Sequence, residues 1–295
     1  MSVTSLNSET EQMLDCLKRL DRGLSREEWA GSLSLRKREE ANFHDWARDP
    51  ELETQERKDE YESNHSNMKF YAADRESAMH RENWIKEHAP GRILVDFCCG
   101  RGTLTLMAAQ AGAALSIGID ISPVSLQGCR RRAAEMGLEK KTYFLMADCE
   151  KTGLPDNSVD RIITAGCLHH LDLSYAFPEL RRILKPGGRI YAIEALSYNP
   201  LIQLYRRLTP KLRTSFEKDH ILSLKELKFA SRFFEVQNVR FFHLFSIATT
   251  PLRNTRWFDN ALNVANAMDR AVLKVPPISY LAWQFSFELV KKEES

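Results

Sequence analysis

Val95-Asp96-Phe97-Cys98-Cys99-Gly100-Arg101-Gly102-Thr103 places an acid, two thiols and two glycines where an apolar run gives way to a helical pattern. Small residues at 98, 100 and 102 let the backbone turn sharply and approach a ligand with no side chain between. A loop that opens onto a helix N-terminus also presents free N–H groups to an anionic or polar ligand. Two ligand classes fail on residue identity. A dinucleotide fingerprint needs G-x-G-x-x-G, and Thr105 stands at the third glycine's place; the G-x-x-x-x-G-K-[ST] of a phosphate-binding loop is absent.

Further chemistry-bearing residues follow in order. Gly118-Ile119-Asp120 closes a second apolar run. In an open α/β sheet an acidic side chain at that strand end faces the crevice and can accept bonds from both ribose hydroxyls. A third run ends at Ala147-Asp148-Cys149, and 154–160 (LPDNSVD) leads into a fourth that emerges at Ala165-Gly166-Cys167-Leu168-His169-His170-Leu171. Leu184-Lys185-Pro186-Gly187-Gly188-Arg189 then makes a tight turn into a fifth run ending at Glu194. A histidine at the fourth strand end can take a proton from a substrate hydroxyl or an acidic carbon, because its pKa lies near working pH; alternatively it packs beneath a bound ligand. Adjacent histidines with no third partner at useful spacing do not make a zinc site, so no metal is expected.

This arrangement resembles motif I of the class I S-adenosylmethionine-dependent methyltransferases, a strand, an Asp and then G-x-G-x-G. Here it reads Asp96 followed by Cys98-Cys99-Gly100-Arg101-Gly102. Cys98 departs from the pattern's first glycine, and its Cβ makes positive φ costly. The resemblance is firm over 91–195 and loose over 233–291, and is to the small-molecule branch that includes ubiquinone/menaquinone C-methyltransferases. It implies S-adenosyl-L-methionine as cofactor and a Rossmann-like seven-stranded sheet. It also implies direct in-line methyl transfer to a small, apolar or aromatic organic acceptor at carbon or oxygen. By residue, the resemblance assigns the cofactor to Asp96, Cys98, Gly100 and Gly102, to Asp120 (the ribose) and Ile121, to Ala147, Asp148 (the adenine amino group) and Cys149, and to Ala165. Of His169 and His170, one should face the transferred methyl as the catalytic group. Tyr71 is expected to close over the cofactor, and Glu194 and Tyr198 to shape the substrate crevice. Two other readings stay open: a cofactor-binding enzyme that catalyses another step such as cyclisation, and a non-catalytic binding protein.

The elements that must position these residues are legible as β-rich runs at 92–97, 115–120, 142–147, 161–165 and 189–194, alternating with helical segments at 102–112, 124–137 and 174–185. Such alternation implies parallel strands with right-handed crossovers, hence a three-layer α/β sandwich. Residues 198–232 read as a helical insertion after the fifth strand, broken near Pro210 and Ser223. Late strands are expected at 236–247 and 280–291, with a helix near 257–273 between them. Residues 1–88 read as an N-terminal helical extension and lid without strands, its charged helices being solvated outer faces, with a capping box at Ser25-Arg26-Glu27-Glu28. Residues 89–295 then form the methyltransferase domain, with 198–232 as part of its substrate cap.

A net charge of +2 and the lack of a [DNS]-P-P-[YFW] segment after the fourth strand point to a small-molecule substrate and away from nucleic acid. No signal peptide and no run of about 18 apolar residues is found, so no transmembrane segment and a cytoplasmic location are expected. The apolar stretches 241–247 and 276–281 read as core, or else as an apolar pocket or a peripheral membrane contact. The N-terminal helices could exchange between subunits of a homo-oligomer. Six cysteines without CxxC pairing read for the most part as reduced thiols, Cys98 and Cys99 as inert ones.

Overall fold

In a computed structural model of the chain, residues 3–21, 23–48 and 68–292 are described. Three helices lead, α1 (Val3–Leu20), α2 (Arg26–Ser32) and α3 (Leu35–Arg48). The helical texture expected across 49–67 lies outside the described residues. A 3-10 segment (Met68–Ala73) and α4 (Arg75–His88) follow. Next come β1 (Ile93–Phe97), α5 (Thr103–Gln110), β2 (Leu115–Asp120), α6 (Pro123–Glu135), β3 (Thr142–Met146), β4 (Val159–Ala165), α7 (Leu173–Ile183) and β5 (Leu184–Ala195). The insertion holds α8 (Pro200–Leu208), α9 (Ser215–Asp219) and α10 (Leu224–Ala230), and the chain closes with β6 (Glu235–Phe242), α11 (Phe258–Val272) and β7 (Gln284–Val290).

The sheet order is β3-β2-β1-β4-β5-β7-β6, with β7 antiparallel to both neighbours and the first five strands parallel. Burial on both faces explains why β1 opens on an unbroken apolar run, Ile93-Leu94-Val95. Ile93, Val95 and Phe97 enter the core that α7 and α10 cover, whereas Leu94 packs with Trp84, Ile85 and Ala108 of α4 and α5. A strand buried on both faces loses the polar alternation of a half-exposed one. Helix α1 contributes Met13 and Leu17 to the larger core.

Local chemistry sets the element ends. Ser25 and Glu28 form the expected capping box of α2. Ser122 caps α6, with Pro123 in its first turn, and Asp172 caps α7. The expected strand 236–247 stops at Phe242, because His243 takes φ +68° and turns the chain into a 3-10 segment, Ser246–Leu252. The last strand begins at Gln284, four residues later than expected, because Ile278–Leu281 is a 3-10 turn.

His243 is itself a stability element. Its Nδ1 lies 2.8 Å from Ser246 Oγ and its Nε2 2.8 Å from Ser77 Oγ, and burial alone pushes its pKa down to about 4. The unfolded ring titrates near 6.5, so the unfolded chain binds the extra proton between these values. Stability is therefore full above about pH 6.5 and is lost as pH falls toward 4, by about 3 kcal/mol in the limit. Urea unfolding should show this loss in the wild type. The slope should be flatter by that amount in His243→Asn, which tolerates the left-handed backbone but carries no titrating ring. Parallel pH profiles for the two proteins would refute the assignment.

Candidate active site

The carboxyl ends of β1, β2 and β4 open onto a cavity of about 460 Å³. Asp96 is buried at the end of β1, and its Oδ2 accepts the Thr105 backbone N–H (2.9 Å) and the Thr105 hydroxyl (2.7 Å). It thereby ties the first turn of α5 to β1 while still lining the cavity. Burial pushes its carboxyl up to about 7, against the lowering effect of the Thr105 bonds. Asp120, at the end of β2, accepts the Gly100 N–H at Oδ2 (2.7 Å) and the Ser122 N–H at Oδ1 (2.9 Å), so it orients the glycine loop and also lines the cavity. Gly102 has φ +66°, and a Cβ there would sit 2.8 Å from Cys129 Sγ, so the loop can pass over α6 only with glycine.

Of the residues expected at the site, Tyr71, Asp96, Cys98, Gly100, Asp120, Ile121, Asp148, Cys149, Ala165 and His170 line the cavity; Gly102, Ala147 and His169 do not. The two histidines have separate surroundings. His170 faces the cavity, its Nδ1 3.0 Å from Glu40 Oε2. His169 Nδ1 is 2.6 Å from Glu194 Oε2, while Glu194 Oε1 accepts the N–H groups of Cys167 and Leu168, both at 2.8 Å. Burial disfavours the charged form of His169, but the Glu194 carboxylate outweighs it and raises the pKa. Tyr198 lies off the cavity wall; its hydroxyl accepts the Leu224 N–H at 3.2 Å.

One expectation is overturned. Cys98 and Cys167 are not free thiols but are joined in a disulfide, with Cα atoms 6.0 Å apart, linking the loop after β1 to the loop after β4. The physical reason is the parallel pairing of β1 with β4, which brings their carboxyl-end loops together on the cavity wall. Cys98 holds φ +59° there, left-handed backbone that ordinarily favours glycine. Cys99 and Cys149 remain thiols, and burial raises both pKa values, which keeps them protonated.

Sequence reasoning missed the contribution of α3, whose charged face is turned inward. Arg36, Lys37, Glu40 and His44 all line the cavity. Lys37 Nζ pairs with Asp148 and lies 2.8 Å from Glu150 Oε2, and Arg36 donates to Glu150 (2.5 Å) and to the His170 carbonyl (3.0 Å). Helix α2 is fastened beside it by Trp29 Nε1, which donates to the Ile121 carbonyl at 2.9 Å, and α3 itself is held by Asp45 Oδ1, which accepts from Ser122 Oγ at 2.6 Å. Helix α9 is latched to α3 through Ser215 on Glu39 (2.9 and 2.6 Å) and Thr214 on Glu40. Arg81 of α4 was also missed; it lines the cavity and its charge is felt by Asp96.

Residues 94–188 match the family described as "Methyltransferase domain". The chain is similar to the demethylmenaquinone methyltransferase of Thermus thermophilus, 40% identical over 110 residues, which are 37% of this chain and 49% of that protein. It is also similar to the ribosomal protein L11 methyltransferase of Vibrio cholerae, 36% identical over 100 residues, 34% of this chain and 32% of that one. The chain thus spans between a third and a half of the length of these curated relatives. Its fold is similar to that of geranyl diphosphate C-methyltransferase from Streptomyces coelicolor A3(2), with a TM-score of 0.54 and 19% identity, covering 74% of this chain and 79% of that one. Sheet order, strand-end acids and matched segment converge on residues 94–188 as the part of this chain that is similar to methyltransferase domains.

Proposed function

We propose that the cavity binds S-adenosylmethionine across the carboxyl ends of β1 and β2 and directs its methyl group to a small, apolar or aromatic organic acceptor. The observation that carries this reading is the pair of buried strand-end acids, Asp96 and Asp120, both on the wall of one cavity. Asp120 takes the ribose: it lines the cavity at the end of β2, and backbone N–H donors orient both of its oxygens there. Ile121, Asp148 and Cys149 flank the adenine, with Lys37 sharing the Asp148 carboxylate.

The amino-acid end falls to Asp96 and Arg81. Arg81 Nε is buried without a hydrogen-bond partner among the described residues, so a ligand carboxylate there would satisfy it. Asp96 is the matching acid for the ligand's ammonium group. S-adenosylmethionine, when bound, supplies a methyl that is already activated. The protein's work is then alignment and exclusion of water, which is worth about 7–11 kcal/mol of a barrier. Ala165 and His170 stand at the methyl end, and the Glu194–His169 contact fixes the turn that carries His170. Helix α3 lines the cavity and is latched to α9, and a roof tied down in this way favours a small molecule over a polypeptide segment.

The test pairs binding with product analysis. Arg81→Met should weaken S-adenosylhomocysteine about thirtyfold in calorimetric titration, the worth of a charge-assisted hydrogen bond. It should leave 5′-methylthioadenosine, which lacks the amino-acid end, unchanged. With S-adenosylmethionine and a panel of phenols and prenylated hydroquinones, a product heavier by one methylene unit supports transfer, and an isomer of the substrate supports cyclisation instead. A wild-type chain that fails to bind S-adenosylhomocysteine would end this reading.

A further inference from the structure

We infer that Glu40, His44 and His170 form a binding site for a divalent first-row transition-metal ion on the cavity wall. One carboxylate oxygen and one nitrogen from each imidazole lie within 4.8 Å of one another. Glu40 Oε2 is 3.0 Å from His170 Nδ1 and 3.8 Å from His44 Nε2. An ion with bonds of about 2.0–2.1 Å holds its ligand atoms roughly 3 Å apart, so side-chain rotation closes the set. Glu40 and His44 are four residues apart on α3, the spacing that puts two ligands on one helix face. In sequence the pair His169-His170 lacks a third partner, and the fold brings Glu40 and His44 of α3 to His170 from across the cavity. Two imidazoles and one carboxylate suit zinc, cobalt, iron or manganese. All three side chains line the cavity, which leaves the ion's remaining positions open to water or an acceptor oxygen.

Charge points the same way. Glu40 is 5% exposed, and among the described residues its partners are the Thr214 hydroxyl and the two histidines, with no Lys or Arg. Its neighbours are compensated: Glu150 by Arg36 and Lys37, and Glu217 by Arg206 and Arg213. A buried carboxylate without a fixed cation is costly, and a dication removes the cost. The overlapping trio His169, His170 and Glu217 is already satisfied, since Glu217 holds two guanidinium groups and His169 holds Glu194. An ion therefore seats on the Glu40 side. Only its task, polarising an acceptor oxygen, rests on the methyl-transfer reading; its binding does not.

The full chain, stripped with a chelator, is dialysed against Co²⁺ and separately against Zn²⁺. One retained equivalent per chain is expected, with visible absorption bands of nitrogen- and oxygen-bound Co²⁺. Glu40→Gln and His44→Ala should each weaken retention about a hundredfold in chains whose circular dichroism is native. Failure of the wild type to retain a stoichiometric ion, or equal retention by folded forms of both variants, overturns the site. If neither variant folds, the wild-type stoichiometry and spectrum decide. A chain that keeps the ion but does not bind S-adenosylhomocysteine would sink the proposed function and leave this site standing.

Discussion

Asp120→Ala should reduce the affinity for S-adenosylhomocysteine by roughly a hundredfold to ten-thousandfold. The side chain closes β2, is 4% exposed, and lines the cavity with both oxygens oriented by backbone N–H donors. A hydrogen bond to a charged acceptor is worth about 1.5–3 kcal/mol, and in the proposed binding mode two ribose hydroxyls would meet this one carboxylate, so about 3–6 kcal/mol is at stake. Each 1.4 kcal/mol is about tenfold in the dissociation constant. The alanine variant also leaves the Gly100 and Ser122 N–H groups without their acceptor, which loosens the glycine loop as well. Asp120→Asn separates the two effects: it keeps the shape and one acceptor oxygen, and should lose about one hydrogen bond's worth. Titration calorimetry on variants with native circular dichroism gives the answer. Alanine binding within about threefold of wild type, well under one such bond, would remove the ribose from this carboxylate and with it the orientation proposed for the cofactor.

Much of this site was legible because strand ends are where sequence and geometry coincide. Ile93-Leu94-Val95 announces a strand covered on both faces, and whatever follows such a run in a parallel sheet sits at the carboxyl edge, where ligands bind. Asp96, Asp120 and His170 were readable for that reason alone. Helix α3 was not. Its sequence, LRKREEANFHDWAR, has the charge density of a solvated face, yet Lys37 and Glu40 side chains are 19% and 7% exposed. The partners that make their burial tolerable, Asp148, Glu150, Thr214 and His170, are more than a hundred residues away. No local pattern encodes them. The Cys98–Cys167 pairing is of the same kind, since a separation of 69 residues becomes contact only once β1 and β4 lie side by side. Arg81 is one cation among several on α4, and only the fold shows that its Nε is buried on the cavity wall. Chain order thus discloses what stands at the strand ends, whereas the roof over them is assembled from long-range pairs of charge.

Glu194→Ala should cost about 3–5 kcal/mol of folding stability. Glu194 is 1% exposed at the end of β5, where its carboxylate accepts the Cys167 and Leu168 N–H groups and partners His169. Truncation strands two buried donors, each worth about 1–3 kcal/mol, and strips His169 of the carboxylate that favours its charged form. At roughly 2–4 °C per kcal/mol the melting temperature should fall by about 10 °C. Glu194→Gln keeps one acceptor oxygen for the two N–H groups and should cost less than half as much. The function is affected separately, because the turn Leu168–His170 hangs on this contact and carries His170 onto the cavity wall. S-adenosylhomocysteine affinity, which the proposed binding mode assigns to the ends of β1 and β2, should change by less than about threefold in the folded variant, while turnover falls. A melting temperature within about 2 °C of wild type, less than 1 kcal/mol, would show that solvent or a rearranged turn satisfies those donors. In that case Glu194 could not be the group that fixes His170 against the acceptor.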